Sequence, residues 1–143
     1  LGVAGVYPIY TDNCAVKKDV IAKKIQRWQK IMFEASKQCE RADIPTCYDI
    51  SDMKNLIEQG GFDKIFAFVE RCAKFNLKSY LNEHKIKRDE KVLVIIGPEG
   101  GFSQKEIEYL TEHVDTLSLG DLILKADTAV ITAIRNIIYE FEN

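Results

Sequence analysis

Two short segments hold the residues best suited to chemistry. Gly97-Pro98-Glu99-Gly100-Gly101-Phe102 follows directly on the apolar run Val-Leu-Val-Ile-Ile. Further along comes Ser118-Leu119-Gly120-Asp121-Leu122-Ile123-Leu124-Lys125-Ala126-Asp127-Thr128. The first segment combines backbone freedom with one carboxylate. Its glycines let a ligand approach the main chain closely, and its amides precede a helix N-terminus, where an anionic group is favoured. A tight structural turn accounts for the same residues. The segment has neither the Lys-Ser/Thr ending of a nucleotide P-loop nor the Gly-x-Gly-x-x-Gly spacing of dinucleotide folds. The second segment is an apolar loop, unusual on a surface. It lines a pocket for a flat aromatic ring or it is plain core. Lys125 and Asp127 bracket its end with opposite charges, either at a pocket rim or simply solvated.

No metal chemistry is expected. Cys14, Cys39, Cys47 and Cys72 lack the two- or three-residue spacing of zinc or redox pairs, and His84 and His113 stand apart from any ligand pattern. The cysteines read as small, buried, reduced thiols of a cytoplasmic protein, and both histidines as surface residues. There is no secretory signal and no apolar run long enough to span a membrane.

The elements that must position the two segments follow from periodicity. The 143 residues are 46% hydrophobic and 29% charged, a globular balance for one domain. Residues 3–10 read as a short strand interrupted by Pro8. Ile21, Ile25, Trp28, Met32, Ala35 and Cys39 share one face of a helix over residues 19–39. The other faces carry six basic residues against one acid, a net +5 over residues 17–30, although the whole chain is at −2. That stretch is either a solvated helix face or a patch for RNA phosphates. Ser51 is the expected cap of a short helix ending at Gly60-Gly61. Strands follow at 64–69, 91–96 and 116–119. Residues 70–90 are ambiguous, with one helical stretch. Ser103 and Glu106 form the Ser-x-x-Glu capping box of a helix running to about His113. The last helix begins near Asp127 or Thr128, with Val130, Ile134, Ile137, Ile138 and Phe141 as its apolar stripe. Alternating strands and helices, with continuously apolar strands, give an α/β class with a mostly parallel sheet and helices on both faces.

The residues also carry a resemblance. Ile-Gly-Pro-Glu-Gly-Gly-Phe-Ser (96–103), Leu-Ser-Leu-Gly (117–120) and Ile-Leu-Lys-Ala-Asp-Thr-Ala (123–129) resemble the C-terminal signature of the SPOUT methyltransferases. Within that class the chain is most similar to the bacterial enzymes that methylate a uridine of 16S ribosomal RNA at N3. Leu1-Gly2-Val3, Pro8, Arg27-Trp28-Gln29-Lys30-Ile31, Glu34-Ala35, Gln38-Cys39, Arg41 and Pro45 follow that family's order. Two departures stand out. The family usually has Arg-x-Glu-Thr where this chain has Lys125-Ala126-Asp127-Thr128, and an Arg where this chain has Asn13.

The resemblance implies a catalytic domain over residues 1–143 that lacks its first strand and helix and the family's N-terminal RNA-binding domain. It implies a C-terminal trefoil knot, S-adenosylmethionine as cofactor, a homodimer, and small-subunit ribosomal RNA as partner. The implied cofactor-binding residues are Val69, Glu70, Ile96, Gly97, Pro98, Glu99, Gly100, Leu119, Gly120, Ile123 and Leu124. Glu99 and Asp127 are the implied catalytic carboxylates, with Lys125 stabilising the uridine anion or gripping a phosphate. The alternatives are a SPOUT enzyme acting on a ribose 2′-oxygen and a knotted RNA-binding module without catalysis. Lys23, Lys24, Arg27 and Arg41 are the candidate RNA contacts. Replacing Lys23, Lys24 and Arg27 with Ala should weaken ribosomal RNA binding. It should also flatten the salt dependence by roughly one log unit per log unit of salt for each phosphate no longer neutralised. Filter binding across a salt series checks this, and an unaltered slope would make the face a solvated surface.

Overall fold

Successive side chains of the central strands point to opposite faces of the sheet, and this sets the layers. The computed structural model describes residues 1–142, with side chains through Glu140. Strands β5 (Lys64–Phe68), β6 (Phe75–Asn76), β7 (Val92–Ile96) and β8 (Asp115–Ser118) form one sheet in the order β6-β8-β5-β7. All of its pairings are parallel. Phe66 and Phe68 point to one face with Leu117, against Leu77, Tyr80 and Leu81 of α4 (Leu77–Glu83) and Ala133 and Ile137 of α6 (Ala126–Glu142). Ala67 and Val69 point to the other face with Leu93 and Ile95. There they meet Met53 and Leu56 of α3 (Met53–Glu58) and Leu110 of α5 (Gln104–His113). A strand covered on both faces must be apolar at every position, which explains the unbroken Val-Leu-Val-Ile-Ile of β7.

The N-terminal part is built from two short parallel pairs. β1 (Gly5–Val6) pairs with β3 (Thr46–Cys47), and β2 (Ile9–Tyr10) pairs with β4 (Ser51–Asp52). Pro8, without an N–H, separates β1 from β2, so the expected interrupted strand becomes two.

Several boundaries differ from the sequence reading. The helix expected over 19–39 is two, α1 (Lys18–Ala22) and α2 (Ile25–Gln38), joined by a turn at Lys23-Lys24. Its expected face holds at Ile21, Ile25, Trp28 and Met32, but Ala35 and Cys39 are exposed and Ser36 is buried instead. One reason is Gln29, whose amide donates to the Pro45 carbonyl at 3.0 Å and accepts from the Cys47 N–H at 2.7 Å. It turns the Gln29–Ser36 side of α2 toward β3. The cap of α3 is Asp52, whose carboxylate accepts from Lys54 N at 2.9 Å. Ser51 is held in β4, its N–H donating to the Pro8 carbonyl. Helix α6 starts at Ala126, because Ala129 N already donates to the Lys125 carbonyl at 2.8 Å. Of its stripe, Ile137 is buried and Val130, Ile134 and Ile138 are half-buried; the Phe141 side chain lies outside the described residues. Among the cysteines only Cys47 is buried, and that burial pushes its thiol pKa up. Cys39 caps α2 and Cys72 follows β5, so both are exposed.

Leu117 is fully buried where the sheet meets α4 and α6. Leu117→Ala should destabilise the fold by about 2–5 kcal/mol, combining lost transfer energy with a cavity. The check is a lowered urea midpoint at unchanged slope.

Candidate active site

Parallel strands bring their carboxyl ends to one edge, and the loops beyond them converge there. After β5, β7 and β8 come residues 69–72, 97–102 and 119–125. Together they enclose a cleft of about 480 Å³, within the range of small-molecule sites. All eleven residues expected to hold a cofactor, Glu99 among them, line it, as does Lys125. Leu119, Ile123, Leu124, Ala126 and Ala129 make an apolar wall, and Glu70, Arg71, Glu99 and Lys125 supply charge. Among the described residues, none of the backbone N–H groups of residues 120–124 meets an intramolecular acceptor. An apolar wall carrying free main-chain donors suits a ligand that is part aromatic and part polar.

Several lining residues went unnoticed in the sequence. Arg71 and Cys72 lie two and three positions beyond the expected strand end at Val69, and the rule that ligands sit at strand ends, carried slightly further, reaches them. Phe102 carried no such signal, because its role depends on where its ring folds back. An added Cβ at Gly97 would meet that ring at 3.1 Å.

The glycine-rich loop is shaped by the protein itself. Pro98 to Gly101 closes as a turn, with Gly101 N donating to the Pro98 carbonyl at 2.8 Å. The sequence reading ties the glycines of this loop, Gly100 among them, to close approach of a ligand. The structure gives another reason. A Cβ there would lie 3.0 Å from the Asn13 carbonyl oxygen and 3.1 Å from its Cβ. Substitution at Gly100 therefore strains a contact between two parts of the chain. The helix beyond the loop starts as foreseen. Ser103 Oγ accepts from Glu106 N, and the Glu106 carboxylate accepts from Ser103 N at 2.8 Å.

The remaining expected residues divide. Asp127 lies outside the lining, on the first turn of α6, where its carboxylate accepts from Thr128 N at 2.7 Å and favours the helix dipole. Lys23, Lys24 and Arg27 are exposed, as a phosphate-binding face requires. Arg41 is engaged otherwise. Its guanidinium donates to the Val3 carbonyl at 2.9 Å and is paired with Asp43, which raises its pKa further. Among the described residues no group of three or more His, Cys, Asp or Glu is placed to hold a metal, and no helix is long and apolar enough to cross a membrane.

Comparison with known proteins decides the family. A family model described as an RNA methyltransferase domain matches residues 1–138. The chain belongs to the RNA methyltransferase family. It is similar to the ribosomal RNA small subunit methyltransferase E of Bacillus subtilis, with 32% identity over 148 residues, covering 99% of this chain and 58% of that protein. The protein of the same name from Rickettsia conorii is 30% identical over 151 residues, covering 96% of this chain and 54% of the relative. The chain thus spans a little over half the length of these relatives. Among solved structures, a Legionella pneumophila methyltransferase in complex with bound SAM superposes with a TM-score of 0.84 at 31% identity, covering 96% of this chain and 56% of that one. A ribosomal RNA small subunit methyltransferase E from Neisseria gonorrhoeae bears out the fold, with a TM-score of 0.80 at 24% identity, covering 98% and 56%.

In this RNA methyltransferase domain the apolar loop depends on Gly120, whose φ of +134° is strained for any side chain. Gly120→Ala should cost about 1–3 kcal/mol. Thermal unfolding should register it as a melting temperature several degrees lower.

Proposed function

We propose that this chain is the cofactor-binding and catalytic part of an S-adenosylmethionine-dependent methyltransferase that methylates a uridine of 16S ribosomal RNA at N3. The observation that carries the reading is the cleft itself, with three strand-end loops, an apolar wall and the free amides of residues 120–124. Those features fit an adenine ring against Leu119, Ile123 and Leu124. They fit polar atoms of the same ligand at the main chain and at the Glu70 and Glu99 carboxylates. The family and the SAM-bound relative support the choice of ligand.

When bound, S-adenosylmethionine supplies a methyl group already activated by its sulfonium. The remaining work belongs to the protein. The cleft walls align the uridine nitrogen in line with the methyl group, which removes much of the entropic barrier. Glu99, the carboxylate of the glycine-rich loop, accepts the weakly acidic N3 proton. Lys125 at the cleft rim stabilises the negative charge that this leaves on the base. Asp127, in the first turn of α6 and outside the cleft lining, serves the helix rather than the reacting atoms in this conformation. Lys23, Lys24 and Arg27 hold phosphates. Arg41, engaged by the Val3 carbonyl and by Asp43, is not counted among them.

Two further features belong to the same reading. On this reading the 97–102 and 119–125 segments would belong to a trefoil knot, a rare exception among folds. A homodimer would cover the apolar side chains of Leu122, Ile123 and Ile131, which are 81%, 57% and 55% exposed.

The test is methyl transfer by the full-length protein to 16S ribosomal RNA from a strain lacking the gene, followed by mass mapping of the product. N3-methyluridine is the expected product. A 2′-O-methyl nucleotide would support the runner-up enzyme, and cofactor binding without transfer, or none, would support the RNA-binding module. Glu99→Gln should lower kcat by about 10²–10⁴ while the protein stays folded.

A further inference from the structure

A four-residue turn far away in the chain is fastened to the glycine-rich loop. Residues 11–14 close on themselves, with Cys14 N donating to the Thr11 carbonyl at 3.1 Å. Both tip residues of the turn reach across. Asp12 N donates to Glu106 Oε1 at 2.9 Å, and Ser103 Oγ donates to Asp12 Oδ2 at 2.6 Å. The Asn13 side-chain amide donates to the carbonyls of both Gly100 and Gly101, each at 3.2 Å. Gly100 has no side chain to obstruct this approach: an added Cβ would lie 3.0 Å from the Asn13 carbonyl oxygen and 3.1 Å from the Asn13 Cβ. Glu106 is buried and serves both sides, since its second oxygen accepts from Ser103 N.

We propose that Asn13 is a positioning residue for cofactor binding, the tip of a strut that holds the Pro98–Gly101 turn in the shape the cleft requires. The inference rests on the reading of the cleft as an S-adenosylmethionine site. Its physical basis is direction. The two glycine carbonyls that Asn13 ties down belong to peptide units of the lining loop, so fixing them fixes which way the neighbouring amides face. Without the strut, a turn containing two glycines has many conformations of similar energy. Binding must then select the competent one, and apparent affinity falls by its population. The rest of the turn anchors Asn13 without touching the cleft. Asp12 secures it to the α5 capping box, β2 leads into it, and the basic α1 and α2 follow it in the chain.

The experiment is isothermal calorimetry with S-adenosylmethionine on the full-length protein, together with methyl-transfer kinetics. Asn13→Ala removes both donors and should weaken cofactor binding about tenfold. Asn13→Asp has the same shape but turns an oxygen toward two carbonyls, so it should weaken binding more than Asn13→Ala. Both variants should raise KM for the cofactor with kcat at saturation little changed, whereas a general loss of fold lowers kcat through the active fraction. Gly100→Ala strains the same contact from the opposite side. Its effect should be smaller in the Asn13→Ala background than in wild type. Wild-type affinity in both Asn13 variants, an Asp variant that binds better than the Ala variant, or additive effects in the double variant would overturn the inference while leaving the cofactor site in place. A wild-type protein that does not bind S-adenosylmethionine would overturn the functional reading and this inference with it.

Discussion

Backbone hydrogen bonding of β5 on both edges constrains most of what surrounds it. A parallel strand cannot turn back directly to its neighbour, so each connection must cross the sheet and return. The crossings become helices, the helices cover both faces, and only the strand ends are left for loops. Because β5, β7 and β8 run the same way, their carboxyl ends open at one edge. Loops that begin near residues 69, 97 and 119 are therefore brought together whatever their sequence. The cleft follows from strand direction first and from loop chemistry second.

Loop chemistry then decides shape. Apolar side chains of the 119–124 loop stand next to the backbone N–H groups of residues 120–124, which meet no acceptor among the described residues, a combination a folded core does not tolerate and a binding site uses. The glycine-rich loop opposite has its own amides and carbonyls directed by neighbours. Phe102 occupies the space beside Gly97, and Asn13 the space beside Gly100. Small residues here serve close packing within the protein, which makes the loop a built surface and not a flexible one.

Charge is distributed unevenly along the chain and unevenly engaged. The overall balance of −2 conceals a stretch of +5 at residues 17–30, interrupted by the break between α1 and α2. Lys23, Lys24 and Arg27 remain in solvent at that break, whereas Arg41 is drawn into the fold by Val3 and Asp43. Two basic residues of equal standing in composition thus have different duties. A phosphate would have to displace Asp43 to reach Arg41, and among the described residues it meets no such ion-paired competitor at Lys23.

Much of this was legible in residue order because it depends on near neighbours. Strand faces follow from a period of two, the α5 capping box from a three-residue spacing, and the three loops from where apolar runs stop. All eleven residues that the family signature singled out line the cleft. Other features belong to tertiary structure alone. The hydrogen bonds from the 11–14 turn to the glycine-rich loop and α5 join residues 87 to 94 apart, a separation no local pattern reports. Ser51 and Asp52 are both good caps, and the start of α3 at Met53, directly after β4, selected the second. That Cys47 is buried, that Arg41 is engaged and that Gly100 has no room for a side chain were likewise settled by what packs against them. A residue's type limits the partners it can take, but the choice among them comes from distant parts of the chain brought close by folding.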